Sequence, residues 1–172
     1  MTKKKDINYD LELAIDGMGF VLYSDGAVEG IEEGCNYFEK EYATPDQVAL
    51  HIKKGDVIGF NTGGGGNYNI RFRTGYPNEE IDKKYPISIR LAIDVKGGKI
   101  SIIDLFWLME WSKECPAKQQ IPIDDGVYHV TVSTMKPESG VWGDNQEIYI
   151  FLNKIEKMPQ LTWSGVPILF TV

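Results

Sequence analysis

Two spacings of apolar residues organise this chain. From Asp56 onward the spacing is mostly two. Tyr68, Ile70 and Phe72 alternate with Asn69, Arg71 and Arg73, and Ile87, Ile89, Leu91, Ile93 and Val95 form the cleanest alternation. Such patterns predict strands with one buried face. Val57 to Phe60 reads as a short strand, the Gly63–Gly66 run as a long hairpin turn, and Gly97-Gly98 as a turn back into Ile100 and Ile102. Tyr128, Val130, Val132 and Thr134 predict a further strand. Around Ile148, Ile150 and Leu152 the intervening Tyr149 and Phe151 are also apolar, so that strand is expected at the centre of a sheet. Trp163 to Val172 reads as a last strand, and Pro167 places it at an edge or a bulge.

The first third differs. Leu11, Leu13 and Ile15, an Asp16-Gly17 turn and the apolar Phe20 to Tyr23 predict a hairpin. Val28, Ile31, Cys35, Phe38 and Tyr42 then recur at steps of three and four, which predicts a helix over Ala27 to Tyr42. Gly30 and Gly34 weaken it by ~1 kcal/mol each relative to alanine. Thr44-Pro45-Asp46-Gln47 is a capping box with proline at the first helical position, and Lys53-Lys54-Gly55 is a stop. Val48, Ile52 and one of Ala49 or Leu50 are expected to face inward. The expected fold is mainly β: an antiparallel β-sandwich with two short helices inserted in the N-terminal third, one domain over residues 1–172, and about the first six residues flexible.

Composition adds bounds. The 172 residues are 42% hydrophobic and 25% charged, an ordinary globular balance that needs no disulfide or metal. The two cysteines, Cys35 and Cys115, read as free thiols. No export signal and no membrane-length apolar run are evident, so a soluble cytoplasmic protein is expected.

Charge changes the picture more. The net charge is −7, and Asp25 to Glu41 holds six acids and one lysine. Such a segment repels a phosphate backbone and attracts a basic protein. Glu29, Glu32, Glu33 and Glu39 on the expected helix are therefore the first candidate contacts, with a plain solvated face as the alternative.

Catalytic chemistry is poorly represented. The glycine run lacks the Lys-Ser or Lys-Thr of a phosphate loop and precedes a strand. Arg71 and Arg73 share a strand face that either clasps an anion or is simply solvated. His51 and His129 have no residue at metal-ligand spacing, and no cofactor, metal or catalytic residue is assigned. Asp124-Asp125-Gly126 reads as a turn. Leu105 to Trp111 concentrates Trp107, Trp111, Phe106 and Met109, either as core with a helical turn or as an exposed aromatic surface. The loop over Pro137 to Gln146 carries Trp142, which either tucks back or awaits a partner; Glu138, Trp142 and Asp144 are the second candidate contact set.

The order PISIRLAIDVKGGKISI, then IPIDDGVYHVTVSTMKP, then NQEIYIFLNKI is similar to small uncharacterised bacterial proteins of toxin–immunity neighbourhoods. It also resembles the small inhibitor of the bacterial competence nuclease, which shares a strand, a glycine turn, a Gly-x-Tyr strand and a late Tyr-Ile strand. The likeness covers Pro86 to Ile155 and carries no catalytic residues. It implies a non-enzymatic immunity or inhibitor protein whose partner is a basic toxin or nuclease. The competing expectation is a sandwich that binds a small ligand or sugar through Trp142, Asp144, Asn145 and Gln146. An enzyme would need a cleft that gathers His51 or His129 with a carboxylate or cysteine.

Overall fold

The computed structural model describes residues 6–171. The flexibility expected near the N-terminus concerns a stretch whose first five residues lie outside those described, as does Val172. Nine strands form two packed sheets: β1 (Asn8–Ile15), β2 (Gly19–Tyr23), β3 (Val57–Asn61), β4 (Gly66–Thr74), β5 (Ile87–Val95), β6 (Lys99–Asp104), β7 (Gln120–Pro122), β8 (Gly126–Thr134) and β9 (Asp144–Ile155). One sheet has the order β1-β4-β9-β8-β5 and the other β3-β2-β6-β7. Pairing is antiparallel except between β4 and β9, which run parallel. The mainly β sandwich is therefore as expected, with one parallel pair inside it. β9 sits at the centre of the larger sheet, as its two apolar faces require.

The apolar alternations supply the core. Leu11, Leu13 and Ile15 of β1, Tyr68, Ile70 and Phe72 of β4, and Ile148, Ile150 and Leu152 of β9 all point to the space between the sheets and are buried.

The three predicted hairpins are not hairpins. β1 and β2 lie in different sheets, as do β3 and β4, and β5 and β6. Residues 16–18, 62–65 and 96–98 therefore arch across the sandwich instead of turning within one sheet. Alternation specifies which face of a strand is buried, not which strand lies beside it, and a glycine-rich connection serves a lateral or a vertical step equally. Asp104 pins the first arch. Its carboxylate, buried at the end of β6, accepts from Asp16 N at 2.8 Å and from Phe106 N at 2.9 Å.

The second arch depends on Gly66, whose φ of 151° lies in the region that favours glycine. A Cβ there would run into the carbonyl of Gly143, so the glycine run is a place of close backbone approach.

Four short helices occur among the described residues: α1 (Asp25–Val28), α2 (Tyr37–Glu41), α3 (Pro45–Lys54) and α4 (Glu79–Lys84). α3 is the helix its capping box predicts, with Thr44 Oγ1 accepting from Gln47 N and Gln47 Oε1 from Thr44 N. Val48 and Ile52 are buried; Leu50 is exposed and Ala49 is half-buried. The single helix expected over 27–42 is instead α1, an irregular stretch and α2. Gly34 takes a φ of 82°, its N–H donates to Trp111 O, and Trp111 N donates to Cys35 O. That strand-like pairing takes the backbone groups a helix would need. The apolar stripe still faces inward: Val28 and Tyr42 are buried and Ile31, Cys35 and Phe38 half-buried.

Among the described residues the expected last strand is also absent. The stretch after β9 makes one isolated bridge, Ile168 to Asn61, and buries Leu169 beside β3. Pro167, which lacks an N–H, contributes its carbonyl to Asn61 N at 2.8 Å. Helix α4 carries no long apolar stripe, and it lies within the connection that crosses from β4 to β5 at the far edge of the same sheet.

Candidate functional site

The acidic segment and the aromatic segment form one layer over the smaller sheet. Residues 34–35 pair with Trp111, α2 packs on the 3-10 turn Leu105–Met109, and Glu33 accepts from Lys113 N at 3.1 Å. Hydrogen bonds from Ser112 and Lys113 hold the Glu33 carboxyl below the usual carboxylate range. The aromatic residues are divided by this layer. Leu105, Leu108 and Trp111 are buried, Trp111 edge-on to Tyr23 with centroids 5.4 Å apart, whereas Trp107 and Met109 are exposed.

Glu29, Glu32, Glu33 and Glu39 are all exposed on this layer. They lie on an irregular stretch and on α2, not on one helix as expected. Glu29, Glu32 and Glu39 form no ion pair among the described residues; Asp25 pairs with Lys99 at 3.5 Å. The segment thus keeps most of its negative charge uncompensated by the chain itself.

At the end of this segment the fold builds a constellation that spacing did not announce. His51, buried in the last turn of α3, bonds Asp56 Oδ1 through Nδ1 at 2.8 Å. Its Nε2 lies 3.4 Å from both Glu41 Oε2 and the Tyr37 hydroxyl. Burial pulls the imidazole pKa down, but the Asp56 hydrogen bond and the charges of Asp56 and Glu41 outweigh it, so the net shift is upward. Burial with the same two carboxylates drives the Tyr37 hydroxyl upward. Asp56 was invisible as a partner because its carboxylate reaches His51 only after Gly55 turns the chain out of the helix.

The second candidate set lies elsewhere, at the end of the larger sheet where β8 passes into β9. Glu138 and Asp144 are exposed on the rim of a cleft of about 280 Å³ that Lys84, Tyr85 and Glu147 also line. The Tyr85 hydroxyl donates to Glu147, and its ring lies 5.1 Å from that of Tyr149. Trp142 tucks back: half-buried, it meets Phe170 edge-on at 6.4 Å, with Lys136 Nζ 5.8 Å from its centroid. Gln146 is buried and spent internally, donating to Thr134 Oγ1 and accepting from Gly143 N. The two candidate sets are not brought together.

The remaining candidates have internal partners. Arg71 and Arg73 both pair with Asp10, at 3.1 and 2.7 Å, and Arg71 also reaches Glu147 at 3.5 Å. This is an ion-paired strand face, not an open anion clasp. His129 Nδ1 lies 2.6 Å from the Tyr76 hydroxyl, and burial with the nearby Arg90 charge lowers its pKa. Cys35 and Cys115 are free and half-buried. Among the described residues no cluster of three or more His, Cys, Asp or Glu side chains is placed to hold a metal ion, and no helix is long and apolar enough to cross a membrane.

No protein-family model matches the chain, and no curated protein sequence matches it. Solved structures do. The fold resembles that of ComJ. The crystal structure of ComJ, inhibitor of the DNA degrading activity of NucA, from Bacillus subtilis, superposes with a TM-score of 0.55 at 13% identity, over 88% of this chain and 99% of that one. A second structure, Crocagin biosynthetic gene J, gives a TM-score of 0.53 at 8% identity, over 86% of this chain and 97% of that one. At these identities the likeness is one of fold. It bears out the resemblance to the competence nuclease inhibitor read from residues 86–155 and extends it to most of the chain.

Proposed function

We infer that this protein is a non-catalytic inhibitor that captures a basic protein, a nuclease or comparable toxin, through the acidic layer over its smaller sheet. One observation carries the reading: Glu29, Glu32 and Glu39 are exposed carboxylates to which the chain supplies no cation among the described residues. An uncompensated field of this kind steers a basic partner and stands in for the phosphates that a nuclease binds. Glu33 extends the same surface. Exposed Trp107 and Met109 beside α2 supply apolar area within the acidic surround, the composition expected of a binding centre and its rim. The fold shared with an inhibitor of a nuclease supports the same role. Glu138, Trp142 and Asp144 form a separate second contact surface in this reading.

The sugar-binding alternative is weaker, since Gln146 is committed internally and Trp142 packs on Phe170. The enzymatic alternative needs a cleft that gathers a histidine with a carboxylate; His51 does meet Asp56 and Glu41, but it is buried, and neither it nor His129 lines the cleft of Glu138 and Asp144 or the trough beside Asp10 and Glu12.

The test uses the purified protein and, as first candidate partner, the product of a neighbouring gene. Expected are inhibition of that product's activity and an association rate that falls steeply with salt. The triple variant Glu29→Gln, Glu32→Gln, Glu39→Gln should slow association roughly tenfold at low salt and flatten the salt dependence. Association unchanged by the three substitutions would remove the acidic layer from the interface.

A further inference from the structure

The two sheets present four edges, and three are short or in part covered. β5 is flanked by α3, with Asp94 N donating to Gly55 O at 2.8 Å. β3 is covered by the tail, where Pro167 O and Leu169 N bond Asn61. β7 is only three residues long. β1 is different: eight residues, no proline and no lysine.

The direction of its backbone groups follows from its neighbour. Asn67 N and Gly75 N both point to the β9 side, at Gly143 O and Leu152 O. Odd-numbered residues of β4 therefore face β9 and even-numbered ones face β1. Tyr68, Ile70 and Phe72 stand opposite Leu13, Leu11 and Tyr9, so these three β1 residues exchange the ladder bonds. The N–H and C=O groups of Asn8, Asp10, Glu12 and Ala14 then point away from the sheet, and none has a hydrogen-bond partner among the described residues. An open edge of this length is a template for another strand.

We propose that the β1 edge accepts an extended segment of a partner protein that carries lysine or arginine at alternate positions and apolar residues between them. Charge selects that occupant. Side chains directly opposite Asp10 and Glu12 on an added strand fall on the same outer face. Asp10 is already engaged by Arg71 and Arg73, whereas Glu12 is exposed and forms no ion pair among the described residues. A shallow trough of about 440 Å³ runs beside it, lined by Asp10, Leu11, Glu12, Asn69, Ile70 and Arg71, with room for a long side chain. The alternate residues of the incoming strand point inward past Leu11 and Leu13, at the flank of the core. A second copy of this chain is a poor occupant. Antiparallel self-pairing that uses most of the edge sets Glu12 opposite Glu12, Glu12 opposite Asp10, or Asp10 opposite Asp10, and like charges so placed destabilise a pair. The site is independent of the acidic layer and does not rest on it.

The probe is a synthetic peptide of alternating lysine and valine as long as β1, added to the intact protein, with amide hydrogen exchange read by NMR. Expected is slowing of the Asp10, Glu12 and Ala14 amides by at least about tenfold, with Tyr9, Leu11 and Leu13 changed little. The same peptide N-methylated at its lysines should lose the effect, which tests backbone pairing without altering the protein. Ala14→Pro removes one outward N–H and no charge, and should also abolish it; Glu12→Gln should weaken it. Glu29→Gln with Glu32→Gln should leave it intact, which separates this site from the acidic layer. Protection mapping away from β1, or surviving N-methylation, overturns the proposal. Protection of the same amides that rises with protein concentration and no peptide overturns the chosen occupant in favour of a second copy.

Discussion

His51 shows how a residue acquires its character from neighbours that spacing does not reveal. Asp56 and Glu41 flank it, and its pKa stands above the ordinary 6.5. A raised folded-state value means the folded protein binds the proton more tightly than the unfolded chain. The resulting stabilisation is complete below about pH 6.5 and is lost as pH rises through the folded value. An NMR titration should place the His51 midpoint above the ordinary histidine value. The stability gap between wild type and His51→Gln should shrink as pH rises above the ordinary histidine value and through the His51 midpoint. Asp104 is a second residue of this kind, a buried carboxylate accepting from two backbone amides. Asp104→Ala leaves both amides unpaired and should cost about 2–3 kcal/mol in denaturant unfolding. Gly66→Ala should cost more, about 3 kcal/mol or failure to fold, because φ and the Gly143 carbonyl both oppose a side chain.

At the scale of elements, local signals succeed where bonding is local. The capping box and stop of α3 are complete within a dozen residues, and the helix forms where they mark it. Thr44→Ala should reduce stability by about 1 kcal/mol, measured by thermal or denaturant unfolding. Where bonding is long-range, local signals mislead. The 27–42 stripe has helical spacing, yet Gly34 and Cys35 give their backbone groups to Trp111, far along the chain. Restoring helix propensity there should not lengthen α1 or α2. Gly34→Ala strains a φ of 82° and should loosen the acidic layer, read as faster amide exchange at Gly34 and Trp111.

Across the whole molecule, the four β-to-β steps at 16–18, 62–65, 96–98 and 123–125 carry the chain back and forth between the sheets. This interleaving ties distant segments into one core and leaves two kinds of unsatisfied surface. One is electrostatic, the carboxylates of 29–39; the other is the backbone edge of β1. They answer to different perturbations. Raising ionic strength should weaken partner capture by the acidic layer steeply, while backbone pairing at β1 should retain most of its protection once charge is screened. Association rates and amide exchange measured across a salt series distinguish the two surfaces.

Much of this protein was legible in its residues. The mainly β composition, the central place of β9, the α3 helix with its caps and the burial of Tyr68, Ile70 and Phe72 all follow from alternation and capping chemistry, each of which acts over a few positions. Tertiary structure alone decided the rest. It turned three apparent hairpins into arches, broke the acidic helix, reduced the last strand to a single bridge, joined His51 to Asp56 and Glu41, and kept Glu138, Trp142 and Asp144 apart from the acidic segment. The physical reason is common to all of these. A period of two or of 3.6 states which side of an element is apolar, but the partner of a backbone amide or of a carboxylate is set by segments tens of residues away, and only the assembled core brings them within bonding distance.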